Sequence, residues 1–116
     1  MKPYQKEFAD FDNGEAFDKI LAAIEAHGFK DCSWHNDAMP CIISELDHGF
    51  QQVIWVDYKD LTKSEFPDQR LIGWDSVGRM KQFMFGERDA DGEYTEEWNY
   101  DDVDLLIAHV HKVMTS

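Results

Sequence analysis

The feature that most constrains this chain is its hydrophobic period, which changes from helical to alternating and back again. From Glu15 to His27 the apolar residues Phe17, Ile20, Leu21 and Ile24 recur at spacings that put them on one face of a helix. Asp12 or Asn13 suits the start of that helix, and Gly28 suits the left-handed position after its end. A second stripe, Val103, Leu106, Ile107, Val110 and Val113, predicts a helix from Tyr100 to Met114 with Asn99 as its N-cap. Asp101, Asp102 and Asp104 then lie toward the positive end of the helix dipole, and His109, His111 and Lys112 toward the negative end.

The middle of the chain reads as strands. In Phe50 to Tyr58, Phe50, Ile54, Val56 and Tyr58 point one way and Val53 and Trp55 the other, so both faces are apolar and the strand is central. Lys81 to Glu87 and Glu93 to Trp98 predict a hairpin around Asp89-Ala90-Asp91-Gly92, whose glycine supplies a positive φ. Cys41 to Glu45 and Leu71 to Val77 are further strand candidates, and Lys59 to Gln69, with Pro67, reads as a loop containing a helical turn. The order predicts an α+β fold: one domain, residues 1–116, with an antiparallel sheet of four to five strands flanked by an N-terminal and a C-terminal helix. At 43% hydrophobic and 14% aromatic residues the chain can fill such a core.

Charge narrows the partners. Twenty-four Asp and Glu face eleven Lys and Arg, a net charge of -13. Between Glu87 and Asp104 stand Glu87, Asp89, Asp91, Glu93, Glu96, Glu97, Asp101, Asp102 and Asp104, opposed only by Arg88. A field of that sign repels nucleic acid and anionic membrane and attracts basic surfaces. The start of the chain, Met1 to Glu7, lacks the apolar run of a signal peptide, and no apolar run is long enough to span a bilayer. The expected location is the cytoplasm, with Cys32 and Cys41 reduced; a disulfide between them needs an oxidising compartment.

Three patterns carry chemistry in principle. Counted from Glu87, acidic side chains at positions 1, 3 and 5, Gly92 at 6 and Thr95 at 9 match an EF-hand calcium loop. Position 12, however, is Trp98 instead of a bidentate Glu, and Met84-Phe85 reads as strand where the motif needs a helix, so a polar hairpin tip explains the same residues. Cys32, His35, Cys41 and His48 have the ligand types of a zinc site but lack a second tight pair. The same cysteines invite a thiol nucleophile, Cys32 with His35 or His48 as base and Asp37 or Asp47 as orienting group, with no oxyanion-hole signature beside it. Phosphate-cradling glycine loops are absent, and eleven scattered cations form no basic stripe for nucleic acid. The expectation is a non-enzymatic protein without a cofactor. Of the tryptophans Trp34, Trp55, Trp74 and Trp98, the last reads as core, on the same face as Tyr94 with Glu96 between them. The alternative reading of that pair is an aromatic anchor set within an acidic rim.

Ser33-Trp34-His35-Asn36-Asp37, then Pro40, then Trp55-Val56-Asp57-Tyr58 resemble stretches of small acidic proteins encoded by phages, prophages and proteobacteria. The resemblance covers about the first two-thirds of the chain and implies a small intracellular accessory protein of a mobile element, with no catalytic residues to carry over. The leading expectation is therefore a binding protein that presents its acidic segment to a basic, nucleic-acid-handling host protein and inhibits it. Nucleic-acid mimicry ranks second, a metal or thiol site on Cys32, His35, Cys41 and His48 competes with both, and a plain homodimer built on an exposed strand edge is the remaining reading.

Overall fold

A computed structural model describes residues 2–67 and 81–115. A short helix α1 (Pro3–Glu7) precedes α2 (Gly14–Ile24), which runs on into a 3-10 turn (Glu25–His27). Five strands follow, β1 (Lys30–Asp31), β2 (Cys41–Glu45), β3 (Gln51–Val56), β4 (Phe83–Arg88) and β5 (Tyr94–Tyr100), and the chain closes with α3 (Val103–Met114). The strands lie in the order β1-β2-β3-β4-β5, every pair antiparallel, with β3 in the centre as its two-sided apolar pattern requires. The α+β fold, an antiparallel sheet with a helix toward each end of the chain, is thus as expected. The strand candidate Leu71 to Val77, residues 68 and 69 at the end of the predicted loop, and Trp74 lie outside the described residues.

Strand alternation builds the core. Ile42, Ile54, Val56, Phe83 and Phe85 share the face that meets Phe17, Ile20 and Ile24 of α2 and Leu106 and Val110 of α3, and all ten are buried. Fully burying one such side chain is worth about 1.5–3 kcal/mol, so this interlayer seam is the main source of stability. Leu21, Val103, Ile107 and Val113 of the predicted stripes pack at its margin.

One helix start differs from the expected one, and at another the residue in the cap position uses its side chain elsewhere. Asn99 and Tyr100 pair with Met84 and Phe83, so β5 claims both residues and α3 begins later. Its N-cap is Asp102, whose carboxylate accepts from the backbone N–H of Asp104 at 2.8 Å and of Leu105 at 3.3 Å. Asn13 precedes α2 without capping it. It is fully buried, and its amide donates to the carbonyl of Asp57 at 3.0 Å and to Gln82 Oε1 at 2.6 Å. Tertiary bonds to the end of β3 outcompete the local cap. Gly28 ends the 3-10 turn at φ 92°, as its left-handed role demands.

The Asn13 amide belongs to a polar node that fastens the loop before α2 to the sheet. Asp57, also fully buried, accepts from Ser64 Oγ at 2.7 Å and from the N–H of Tyr58 at 2.8 Å, and its own N–H donates to the Gln82 carbonyl at 2.9 Å. Outside it, the Asp12 carboxylate accepts from the N–H groups of Lys59 and Asp60, and Tyr58 Oη donates to Asp10 at 3.1 Å. Burial, then the Asp10 contact, pushes the Tyr58 hydroxyl up to about 12.

Candidate interaction surface

The nine acidic residues of the segment Glu87–Asp104 divide by what their carboxylates do. Asp89 closes the β4–β5 turn, accepting from the N–H groups of Asp91 at 2.9 Å and Glu93 at 3.0 Å. Asp101 accepts from the N–H of Gln82, Asp102 caps α3, and Asp104 pairs with Lys19 of α2 at 2.8 Å. Those four aspartates are committed to the fold. Glu87, Asp91, Glu93, Glu96 and Glu97 have no side-chain hydrogen bond or ion pair among the described residues, and all but the half-buried Glu87 are exposed. All five lie on the β4–β5 ribbon. Asp89, Asp101 and Asp102 are held because a short carboxylate reaches nearby backbone N–H groups, as turns and caps require, whereas Asp104 is held by a lysine ammonium.

Register fixes where the five point. Glu87 stands opposite Glu96 on the helix-facing side, while Glu97, opposite Gly86, is on the reverse side. Directly opposed like charges repel, so the Glu87–Glu96 pair costs stability unless a cation screens it. Asp91 and Glu93 project at the tip, where Gly92 takes φ 83°. The turn geometry that holds Asp89 is a hairpin, and the helix that an EF-hand needs before its loop is replaced by β4. Asp101, Asp102 and Asp104 sit at the other end of β5, roughly 20 Å from the tip at the usual strand rise.

The aromatic pair separates. A register shift at Glu87/Arg88 sets Tyr94 opposite Arg88 and Glu96 opposite Glu87, leaving Thr95 as the extra residue of a β-bulge. Tyr94 therefore faces away from the helices while Trp98 faces them, and the expectation of a shared face is overturned by that one inserted residue. Trp98 packs against the core, with Phe85 at a centroid distance of 5.3 Å and His109 at 4.5 Å. His109 also meets Tyr100 Oη at 2.5 Å, and burial, with a smaller contribution from Lys112, holds its pKa below the ordinary imidazole value. On the reverse side Tyr94, 37% exposed, accepts a hydrogen bond from Trp55 Nε1 at 2.7 Å, and its ring lies over Gly86. Tyr94 is therefore paired with Trp55 on the reverse side instead of with Trp98.

Cys32, His35, Cys41 and His48 do not converge. The Cys32 N–H donates to the Cys41 carbonyl at 2.9 Å, extending the β1–β2 ladder by one step and setting the two cysteines side by side. His35 instead contacts Glu7 of α1 at 3.0 Å, and His48 lies in the β2–β3 turn at the far end of β2. Among the described residues no group of three or more His, Cys, Asp or Glu side chains is placed to hold a metal ion. Both thiols are free, and burial first of all pushes each up, which disfavours the thiolate a nucleophile needs.

Unanticipated from the sequence is a contact between His27 Nε2 and His111 Nδ1 at 3.0 Å, which ties the 3-10 turn to the end of α3. Nothing in the spacing of the two residues signals it, because they are brought together only by the packing of α2 on α3. No helix among the described residues is long and apolar enough to cross a membrane. Comparison of the chain with protein-family models, with curated proteins and with solved structures finds no match.

Proposed function

We propose that this protein is a non-enzymatic binding module that presents the β4–β5 ribbon to a basic surface of another protein. The observation that carries the reading is that Glu87, Asp91, Glu93, Glu96 and Glu97 share that ribbon and have no partner of their own among the described residues. Complementary charge gives fast, salt-sensitive association, and an exposed aromatic beside the charges, Tyr94, supplies residence time. In the fuller form of the proposal the protein works in the cytoplasm, belongs to a phage or mobile element, and inhibits a nucleic-acid-handling host protein. The resemblance of Ser33 to Asp37 and of Trp55 to Tyr58 supports that form.

Nucleic-acid mimicry ranks behind this because it needs a row of charges along one face. Here Glu97 faces away from Glu87 and Glu96, and Asp101, Asp102 and Asp104 are engaged at the far end of β5. The test is capture from a nuclease-treated proteobacterial lysate on immobilised protein, eluted by a salt gradient. The proposal expects one basic protein, released at moderate salt and lost from a Glu93→Gln/Glu96→Gln/Glu97→Gln column. Equal retention on the substituted column sinks it.

A further inference from the structure

The sheet has two edges, and they are unlike. β1 is two residues long, and its Asp31 carboxylate accepts from the Tyr4 N–H of α1 at 3.0 Å and from the Ser33 N–H at 3.1 Å. β5 is seven residues long and contains no proline; among the described residues it pairs only with β4, and no main-chain hydrogen bond reaches its outer side. A long open edge offers a row of unpaired N–H and C=O groups that another strand can complete. Its middle residues are Glu96 and Glu97, one on each face.

Those two glutamates decide which strand fits. A second copy of this chain, added antiparallel about the middle of β5, places Glu97 against Glu97 and Glu96 beside Trp98. Registers centred on Glu96 or Glu97 bring like charges together, which disfavours self-pairing. A foreign strand with two consecutive Lys or Arg residues does the reverse. Alternation turns one basic side chain toward Glu96 on the helix-facing side and its neighbour toward Glu97 on the reverse side. The cation beside Glu96 also relieves the repulsion between Glu96 and Glu87 across the ribbon, and the position facing Trp98 calls for an apolar residue.

We infer that the partner docks by strand addition to β5, through an extended segment that carries an apolar residue followed by a basic pair. The inference rests on the acidic-ribbon reading and deepens it: affinity comes from main-chain bonds along Tyr94–Tyr100, and selection from Glu96 and Glu97.

The probe is the synthetic peptide Val-Thr-Val-Lys-Arg-Val-Thr-Val, titrated into the full-length protein at low salt and followed by backbone amide NMR. Two further versions carry N-methyl groups on alternate residues, one version for each edge of the peptide. Strand addition expects the parent peptide to slow hydrogen exchange of amides within Tyr94–Tyr100 by at least tenfold. One methylated version should bind at least tenfold more weakly, whereas the other should not, and Glu96→Gln/Glu97→Gln should weaken the parent peptide by a similar factor. If both methylated versions bind as tightly as the parent while the glutamine substitutions still abolish binding, strand addition is overturned and the acidic-ribbon reading survives. If no version binds, strand addition is overturned, and the lysate experiment decides the broader reading separately. Concentration-dependent dimerisation of the free protein that protects the same amides overturns it in favour of a second copy.

Discussion

Asp57 is a carboxylate with no exposed surface, and the residues around it show why it is tolerated. Ser64 Oγ and the Tyr58 N–H donate to its side chain, and its backbone is bonded to Asn13 and Gln82. Removing the carboxylate strands buried donors, so Asp57→Ala is expected to destabilise the protein by about 3 kcal/mol, read from the urea midpoint. A loss below about 1 kcal/mol contradicts the role given to this node. At Gly86 the constraint is space: an added Cβ stands 3.0 Å from the Glu96 carbonyl and 3.0 Å from the Tyr94 ring. The ring can swing aside but the strand carbonyl cannot, so Gly86→Ala is expected to cost about 1–3 kcal/mol and to shift the Trp55 indole N–H resonance. An unshifted resonance at full stability means that Tyr94 does not lie over Gly86. His109 supplies a pH dependence. In the unfolded chain it titrates at about 6.5, while the native protein binds that proton less readily. Its stabilising contribution is complete above that value and is lost as pH falls through the lower native pKa. Urea midpoints at pH 7.5 and 5.5 should therefore fall further for the native sequence than for His109→Gln, and an equal fall refutes the assignment.

At the scale of elements, what sequence reasoning could find followed from length and period. The stripes Phe17–Ile20–Ile24 and Leu106–Val110 repeat often enough to fix two helices, and apolar residues on both faces of Phe50 to Tyr58 marked the central strand. β1, two residues long, and α1, five long, have too few turns of pattern to be seen. Cap chemistry misleads where a long-range bond wins. Asn99 has the chemistry of a cap, but pairing with Met84 in β5 takes it into the sheet, and Asn13 turns inward to Asp57 and Gln82. The bulge at Thr95 was invisible for a different reason. A single extra residue leaves the local alternation intact on either side and changes only which face each half presents, so Tyr94 and Trp98 seemed to agree. The acidic character of the candidate site was plain in composition. Its division into four engaged aspartates and five carboxylates without a partner among the described residues was not, because that depends on which donors, three sets of backbone N–H groups and the Lys19 ammonium, come within reach.

For the molecule as a whole, a net charge of -13 is a standing self-repulsion that the core must overcome. Screening it should help: between 20 mM and 500 mM KCl the melting temperature is expected to rise by about 4 °C, the shift that ~1 kcal/mol produces in a domain of this size. A flat or falling melting temperature means that the charges are spaced widely enough, or paired well enough, not to matter. The same salt weakens capture of a basic partner, so stability and binding should move in opposite directions, a separation that general unfolding cannot imitate. The strand order carries one more consequence, in time instead of energy. Because each strand pairs with the next along the chain, the sheet assembles through neighbouring contacts and closes only short loops, apart from the connection between β3 and β4. The contact between α2 and α3, with its His27–His111 bond 84 residues apart in sequence, must wait until the strands between them are laid down. Folding should therefore be nucleated in the β-meander and finished by helix docking, with substitutions at Ile20 or Val110 speeding unfolding more than they slow folding.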